Sequence, residues 1–210
     1  MTSKFPSHRF SLVISFSMVV LMASSHCGAQ TGKPHLVEVG PEINQIYLPV
    51  DPVGSVTYEP GVGATGALNI SRYFGLDGAI SITPNAANTK TSFAGGHLTQ
   101  LALGARAGFT WHRVRIYGKL RPGAANFSNV ITRVNPGPPV AFQFGRLTAF
   151  SLDAGAIMQI DLLKRFSLRY EAGDTMIRYP QRTVVVGLPP SPPETTHNFE
   201  FGIGFMFHFR

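Results

Sequence analysis

The sequence predicts an all-β protein: an eight-stranded antiparallel up-and-down transmembrane β-barrel, preceded by a cleaved signal peptide. Three observations predict it. Apolar residues recur at every second position through most of the chain, as in the terminal "FEFGIGFMFHFR", and strict period two fits a strand rather than a helix of 3.6 residues per turn. Short and long connections alternate between these segments. A basic, then apolar, then small-residue stretch opens the chain.

Composition narrows the class. The 210 residues include 22 Gly, 16 Phe and 16 Pro, and only 14% are charged. That mixture excludes coiled coils and helical bundles, and it lacks the high charge and aromatic poverty of disordered chains. Lys4 and Arg9 precede "FSLVISFSMVVLMASS", and Cys27-Gly28-Ala29 ahead of Gln30 forms a small-x-small cleavage site. Residues 1–29 are therefore expected as a signal peptide and 30–210 as the barrel domain. Cys27, the single cysteine, could instead carry a lipid anchor, although His26 stands where a small residue is expected. Cleavage removes Lys4 and Arg9 and takes the formal charge from +7 to +5. So small a basic excess on an exported chain speaks against a nucleic-acid partner.

The strands follow in order. The first is expected within "LVEVGPEINQIY" (36–47), where Pro41 cannot donate to a ladder and suggests a bulge or an edge. "VGATGALNIS" (62–71) and "LDGAISIT" (76–83) flank "RYFG"; "LTQLALGARAGFTW" (98–111) and "VRIYGKLR" (114–121) flank "HR"; "LTAFSLDAGAIMQI" (147–160) and "FSLRYEAG" (166–173) flank "DLLKR"; the eighth is 199–209. The links 48–60, 84–97, 122–146 and 177–197 are long, and the last two carry "NPGPPV" and "GLPPSPPETT". Turns on one rim and excursions on the other suit a sheet whose two ends meet different environments.

Period two sorts the strands into two faces. One carries Val62, Leu68, Ile80, Leu101, Leu103, Phe109, Ile116, Leu120, Phe150, Leu168 and the terminal Phe199, Phe201, Ile203, Phe205, Phe207 and Phe209. The other carries Thr65, Asn69, Ser71, Asp77, Ser81, Gln100, Arg106, Arg115, Tyr117, Lys119, Arg121, Asp153, Gln159, Arg169, Glu171, Glu200 and His208. A soluble barrel would turn the apolar face inward; a membrane barrel turns it to lipid. Gly63, Gly104, Gly108, Gly155, Gly173, Gly202 and Gly204 on the polar face suit a narrow interior. Aromatics gather at the short turns: Tyr73, Phe74, Trp111 and Phe166, with Phe207 and Phe209. An interfacial girdle on one rim predicts that clustering. The membrane reading accounts for both.

The motifs "NISRYFGLDGAIS", "GFTWHRVRIYGKLRPG" and the terminal "FEFGIGFMFHF" resemble the small bacterial outer-membrane β-barrel proteins of the OmpA/OmpX type, across residues 36–210. The resemblance implies the outer membrane of a Gram-negative bacterium, with lipid and lipopolysaccharide around the wall and the long loops outside the cell, open to an extracellular ligand. It implies that Phe205, Phe207 and Phe209 belong to the signal read by the barrel-assembly machinery, although Arg210 follows where that signal usually ends. Its functional expectation is a structural or surface-interaction role, such as adhesion or envelope integrity.

The expected lumen sets Asp77, Asp153, Glu171 and Glu200 against Arg106, Arg115, Lys119, Arg121 and Arg169, joined by Glu38 and Glu42 if strand one has the matching register. Balanced charge in so narrow a space predicts a closed network. The alternative is a small porin-like channel, with Arg115, Lys119 and Arg121 favouring anions. A lipid A-modifying enzyme would need a Ser–His set at the outer rim. His97 with Ser92 and His197 with Ser191 are the nearest approach, and no His-x-Ser sits on a strand. No cofactor is expected: no His/Cys/Asp cluster has metal-ligand spacing, and the Gly-rich stretches lack a P-loop Lys.

Overall fold

In the computed structural model, residues 36–49, 56–84, 95–181, 186–187, 189–190 and 192–209 are described. The expected signal peptide, Cys27, Ser92, Ser191 and Arg210 lie outside them. Eight strands form one closed ring in sequence order, each antiparallel to its neighbours and the eighth pairing with the first. They are β1 Val37–Pro49, β2 Val56–Asn69, β3 Phe74–Thr83, β4 Gly95–Trp111, β5 Val114–Asn135, β6 Ala141–Leu163, β7 Phe166–Tyr179 and β8 Glu194–Phe209.

The ladder is staggered. Cross-strand partners run from Val37 through Leu68, Leu76, Ala105, Leu120, Ala154 and Asp174 to Phe199. Phe199 lies one step beyond the Ile46–Glu200 pair. The circuit thus returns to β1 at Tyr47, ten residues along from Val37. With standard strand spacings that stagger tilts the strands by about 40°, so about ten residues cross a 25 Å apolar band.

The wall is inside-out relative to a soluble protein. Ile43, Val62, Leu101, Leu103, Phe150 and Phe205 are more than half exposed on the outside, whereas Arg106 and Arg169 are almost wholly buried inside. An apolar exterior this continuous is stable only against another apolar phase. Tyr73, Phe74, Phe109, Trp111, Phe166, Phe207 and Phe209 are exposed around the short-turn end. Phe166 and Phe207 stack edge to face at 4.8 Å. At the opposite end Tyr47 packs against Tyr58 and Phe199.

Prolines are absorbed without breaking the ring. Pro41 lies mid-strand in β1 with neither bulge nor free edge. The ladder to β8 simply skips from the Val39–Phe207 pair to Glu42–Gly204. Pro122 does the same on β5, where pairing with β4 skips from Ala105–Leu120 to Ala102–Gly123. A residue without an N–H costs one ladder bond, and the neighbouring pairs hold the register.

The expected connection 122–146 is corrected most. β5 runs on to Asn135 and β6 starts at Ala141, leaving five residues as the link. Pairing continues to Asn135–Ala141, well past the last β4–β5 pair at Gly95–Asn129 and the outermost β6–β7 pair at Phe150–Arg178. The hairpin therefore projects beyond the rim. The other long links shorten too, because β1, β2, β4, β7 and β8 each run further toward that end than the sequence pattern predicts. On the short side, Ser71 is corrected from the lumen to the turn, where its Oγ accepts hydrogen bonds from the backbone N–H groups of Tyr73 and Phe74. His112 takes φ 57° in the two-residue link from β4 to β5, the left-handed conformation that a tight hairpin demands.

Candidate functional site: the barrel lumen

Reading inward-facing residues from the short-turn end shows a change of chemistry along the axis. On β1 the order is Glu38, Glu42, Asn44, Ile46, Leu48; on β5 it is Arg115, Tyr117, Lys119, Arg121, Ala125, Phe127; on β7 it is Ser167, Arg169, Glu171, Thr175, Ile177. Charge fills the lower and middle lumen, a polar layer follows, and an apolar layer lies toward the long-loop end.

The charged layer brings together Asp77, Arg106, Arg115, Lys119, Arg121, Asp153, Arg169 and Glu171. Asp77 sits at its centre, accepting from Arg121 Nη1 at 2.9 Å, from both terminal nitrogens of Arg169 at 2.9 Å and from Arg106 at 3.5 Å. Glu171 accepts from Lys119 Nζ and Arg121 Nη2 at 2.6 Å each and pairs with Arg169. Asp153 takes Lys119 at 2.9 Å and Arg121 Nε at 2.8 Å. Isolated buried charge is costly, and shared partners of this kind offset that cost.

Glu38, only conditionally expected here, is wholly buried and joins β1 to the far wall. It pairs with Arg106 at 2.9 Å and with Arg115, and accepts from Asn69 Nδ2 and Gln159 Nε2 at 3.1 Å each. Arg106 also stacks 4.5 Å over the Tyr117 ring. At the mouth Arg115 reaches Asp161 at 2.6 Å, and His208 lies 2.9 Å from Ser167 Oγ.

Inner-wall glycines gain a specific meaning from the register. Asp77 lies across from Gly104, Arg106 from Gly75, Lys119 from Gly155, Glu171 from Gly202, and Arg169 from Gly204. Each of these charged positions thus has a residue without a side chain as its cross-strand partner. Gly104 also permits close strand approach, because a Cβ there would stand 1.9 Å from the Leu120 carbonyl oxygen.

Glu200 stands apart from the charged layer. It accepts from Asn44 Nδ2 at 2.7 Å and Thr175 Oγ1 at 2.8 Å, and with Glu42, Ser81, Gln100 and Ser151 it lines a cavity of about 30 Å³. Beyond that layer Ile46, Leu48, Leu98, Ala125, Phe127, Val130, Ala149 and Ile177 pack together, covered by Leu147 and Tyr179. This apolar layer was not foreseen in the sequence. Phe127 and Val130 fall in the stretch read as a loop.

The remaining candidates are placed as follows. Phe205, Phe207 and Phe209 point outward on β8, and Tyr73, Phe74, Trp111 and Phe166 are exposed at the short-turn rim. His197 pairs with Asp174 at 2.6 Å in a solvent-exposed position. His97 is exposed, and its backbone N–H donates to Ser128 Oγ.

No protein-family model matches the chain, and no curated protein matches it in sequence. Among solved structures it is similar to Neisserial surface protein A, with 12% identity and TM-score 0.54 over 87% of this chain and all of that one. Weaker likenesses are the N-terminal β-barrel domain of Pseudomonas aeruginosa OprF and the attachment invasion locus protein Ail of Yersinia pestis. OprF gives 16% identity and TM-score 0.42 over 82% of this chain and 97% of that one. Ail gives 12% identity and TM-score 0.45 over 82% and 96%. The first of these likenesses shows the fold, a small closed eight-stranded β-barrel like that of Neisserial surface protein A, and the apolar exterior suits a wall embedded in a membrane.

Proposed function

We propose that the protein is a closed outer-membrane barrel whose work is done at its outer rim, as an adhesive or envelope-stabilising surface element. The observation that supports this reading is the contrast between lumen and hairpin. Two stacked layers fill the passage, while the β5–β6 hairpin carries Val140, Phe142 and Phe144 at 54%, 54% and 61% exposure beyond the rim. A chain built to conduct would keep its axis open. In this orientation the short turns lie in the periplasm, and lipopolysaccharide surrounds the outer rim. Phe205, Phe207 and Phe209 then serve as the strand read by the assembly machinery.

Planar bilayers containing the refolded barrel should stay electrically silent; stable, reproducible conductance would overturn closure and favour the small channel. For the surface role, residues 131–145 are replaced by a tight turn. The shortened barrel should keep its heat-modifiable gel shift but lose binding to host cells or weaken the envelope against detergent. No change in either property would remove the proposed role. On intact cells trypsin should cut at Arg133 or Arg146, both exposed on the hairpin.

A further inference from the structure

The ion pairs of the lumen balance within themselves. Arg106, Arg115, Lys119, Arg121 and Arg169 face Glu38, Asp77, Asp153, Asp161 and Glu171, five cations against five carboxylates. Glu42 and Glu200 stand outside that set, with no ion pair among the described residues. Both border the 30 Å³ cavity between the charged and apolar layers.

The oxygens around that cavity are under-used. Glu42 Oε2, Asn44 Oδ1 and Asp153 Oδ1 are buried and receive no hydrogen bond from the described residues. Asn44 and Asp153 are only 3% and 6% exposed. A carboxyl group inside a membrane-spanning wall that has no ion pair needs either a proton or a counter-charge. The volume suits a single ion or one or two waters. Ser81, Gln100, Ser151 and Thr175 complete a lining rich in oxygen, with Arg121 as its one cationic side chain.

We propose that this chamber binds one hard divalent cation of the calcium type, held by Glu42, Glu200, Asn44 and neighbouring hydroxyl oxygens. Calcium takes six to eight oxygen ligands, mixing carboxylate, amide and hydroxyl or water donors. Its charge matches the two carboxylates left over. Among the described residues no three His, Cys, Asp or Glu side chains form a metal-holding group on their own, so neutral oxygens must complete the shell. That demand fits calcium and excludes a thiolate- or imidazole-seeking metal. The apolar layer above separates the site from the outer rim, so exchange is expected to be slow.

The test uses the whole mature barrel, refolded in detergent free of lipopolysaccharide. After equilibration with Ca²⁺ and removal of free ion, elemental analysis should find about one calcium per barrel. Glu42→Gln and Glu200→Gln, each checked for folding by gel shift and circular dichroism, should hold several-fold less. Thermal unfolding supplies a second readout. Ca²⁺ should raise the midpoint of the wild type over EDTA at matched ionic strength, and that rise should shrink in both variants. At a free concentration 100 times Kd, linkage predicts a roughly hundred-fold gain in the folding constant. Calcium absent from the wild type, equal in the variants, or replaced by water alone in a crystallographic map of the chamber would overturn the proposal.

Discussion

The lumen is filled by two layers with opposite physics. Around Asp77 the closure consists of charge held by geometry: every guanidinium must keep its carboxylate, because desolvation has removed the alternative of water. Around Phe127 it consists of packing, in which Leu98, Val130 and Ile177 contribute area and no direction. The charged layer is therefore specific and brittle, the apolar layer generic and forgiving. The two layers are stacked in series along the passage.

That contrast can be broken deliberately. The largest effect belongs to Asp77→Asn, which strips a partner from three guanidinium groups. It should cost about 3–5 kcal/mol, read as loss of unfolding midpoint in denaturant. Phe127→Ala should cost somewhat less, about 3 kcal/mol, since the rim can partly collapse around the gap. Neither variant should conduct in a bilayer, whereas the double variant should, if it folds; conductance from one single variant would show that one layer does all the sealing.

A smaller test separates close strand contact from mere smallness. Gly104→Ala meets the Leu120 carbonyl and should destabilise by about 1–3 kcal/mol. Gly118→Ala meets nothing nearer than 3.8 Å and should stay within about 0.5 kcal/mol of the parent. The smallest effect should come from salt. Raising NaCl from 0.1 to 1 M screens exposed charges but leaves the buried network alone, so the unfolding midpoint should hardly move. A large drop would mean that water reaches the charged layer.

Much of the fold was legible because the chain repeats one rule. In β3 and β8 the apolar and polar positions differ so sharply that period two fixes both strand and face. A charged residue inside such a strand, such as Asp77 or Arg169, can face only the lumen. The rule fails where both faces are apolar. Ile46, Tyr47 and Leu48 follow one another, with Ile46 and Leu48 buried inside and Tyr47 on the outer rim, so no alternation marks the plug. Pro122 and the "NPGPPV" run likewise concealed the hairpin, because proline argues against a ladder that its neighbours nonetheless sustain.

The sequence by itself determined the class, the order of strands, the direction of most faces and most of the charges turned inward, since all of these depend on residues close together in the chain. Only the tertiary structure decided which charges meet. Glu38 and Arg106 lie 68 positions apart, and Arg169 and Asp77 lie 92 apart. They become neighbours because the staggered ring closes β8 onto β1 and brings opposite walls within a side chain's reach. The apolar seal and the leftover pair of carboxylates follow from the same closure, which no local pattern encodes.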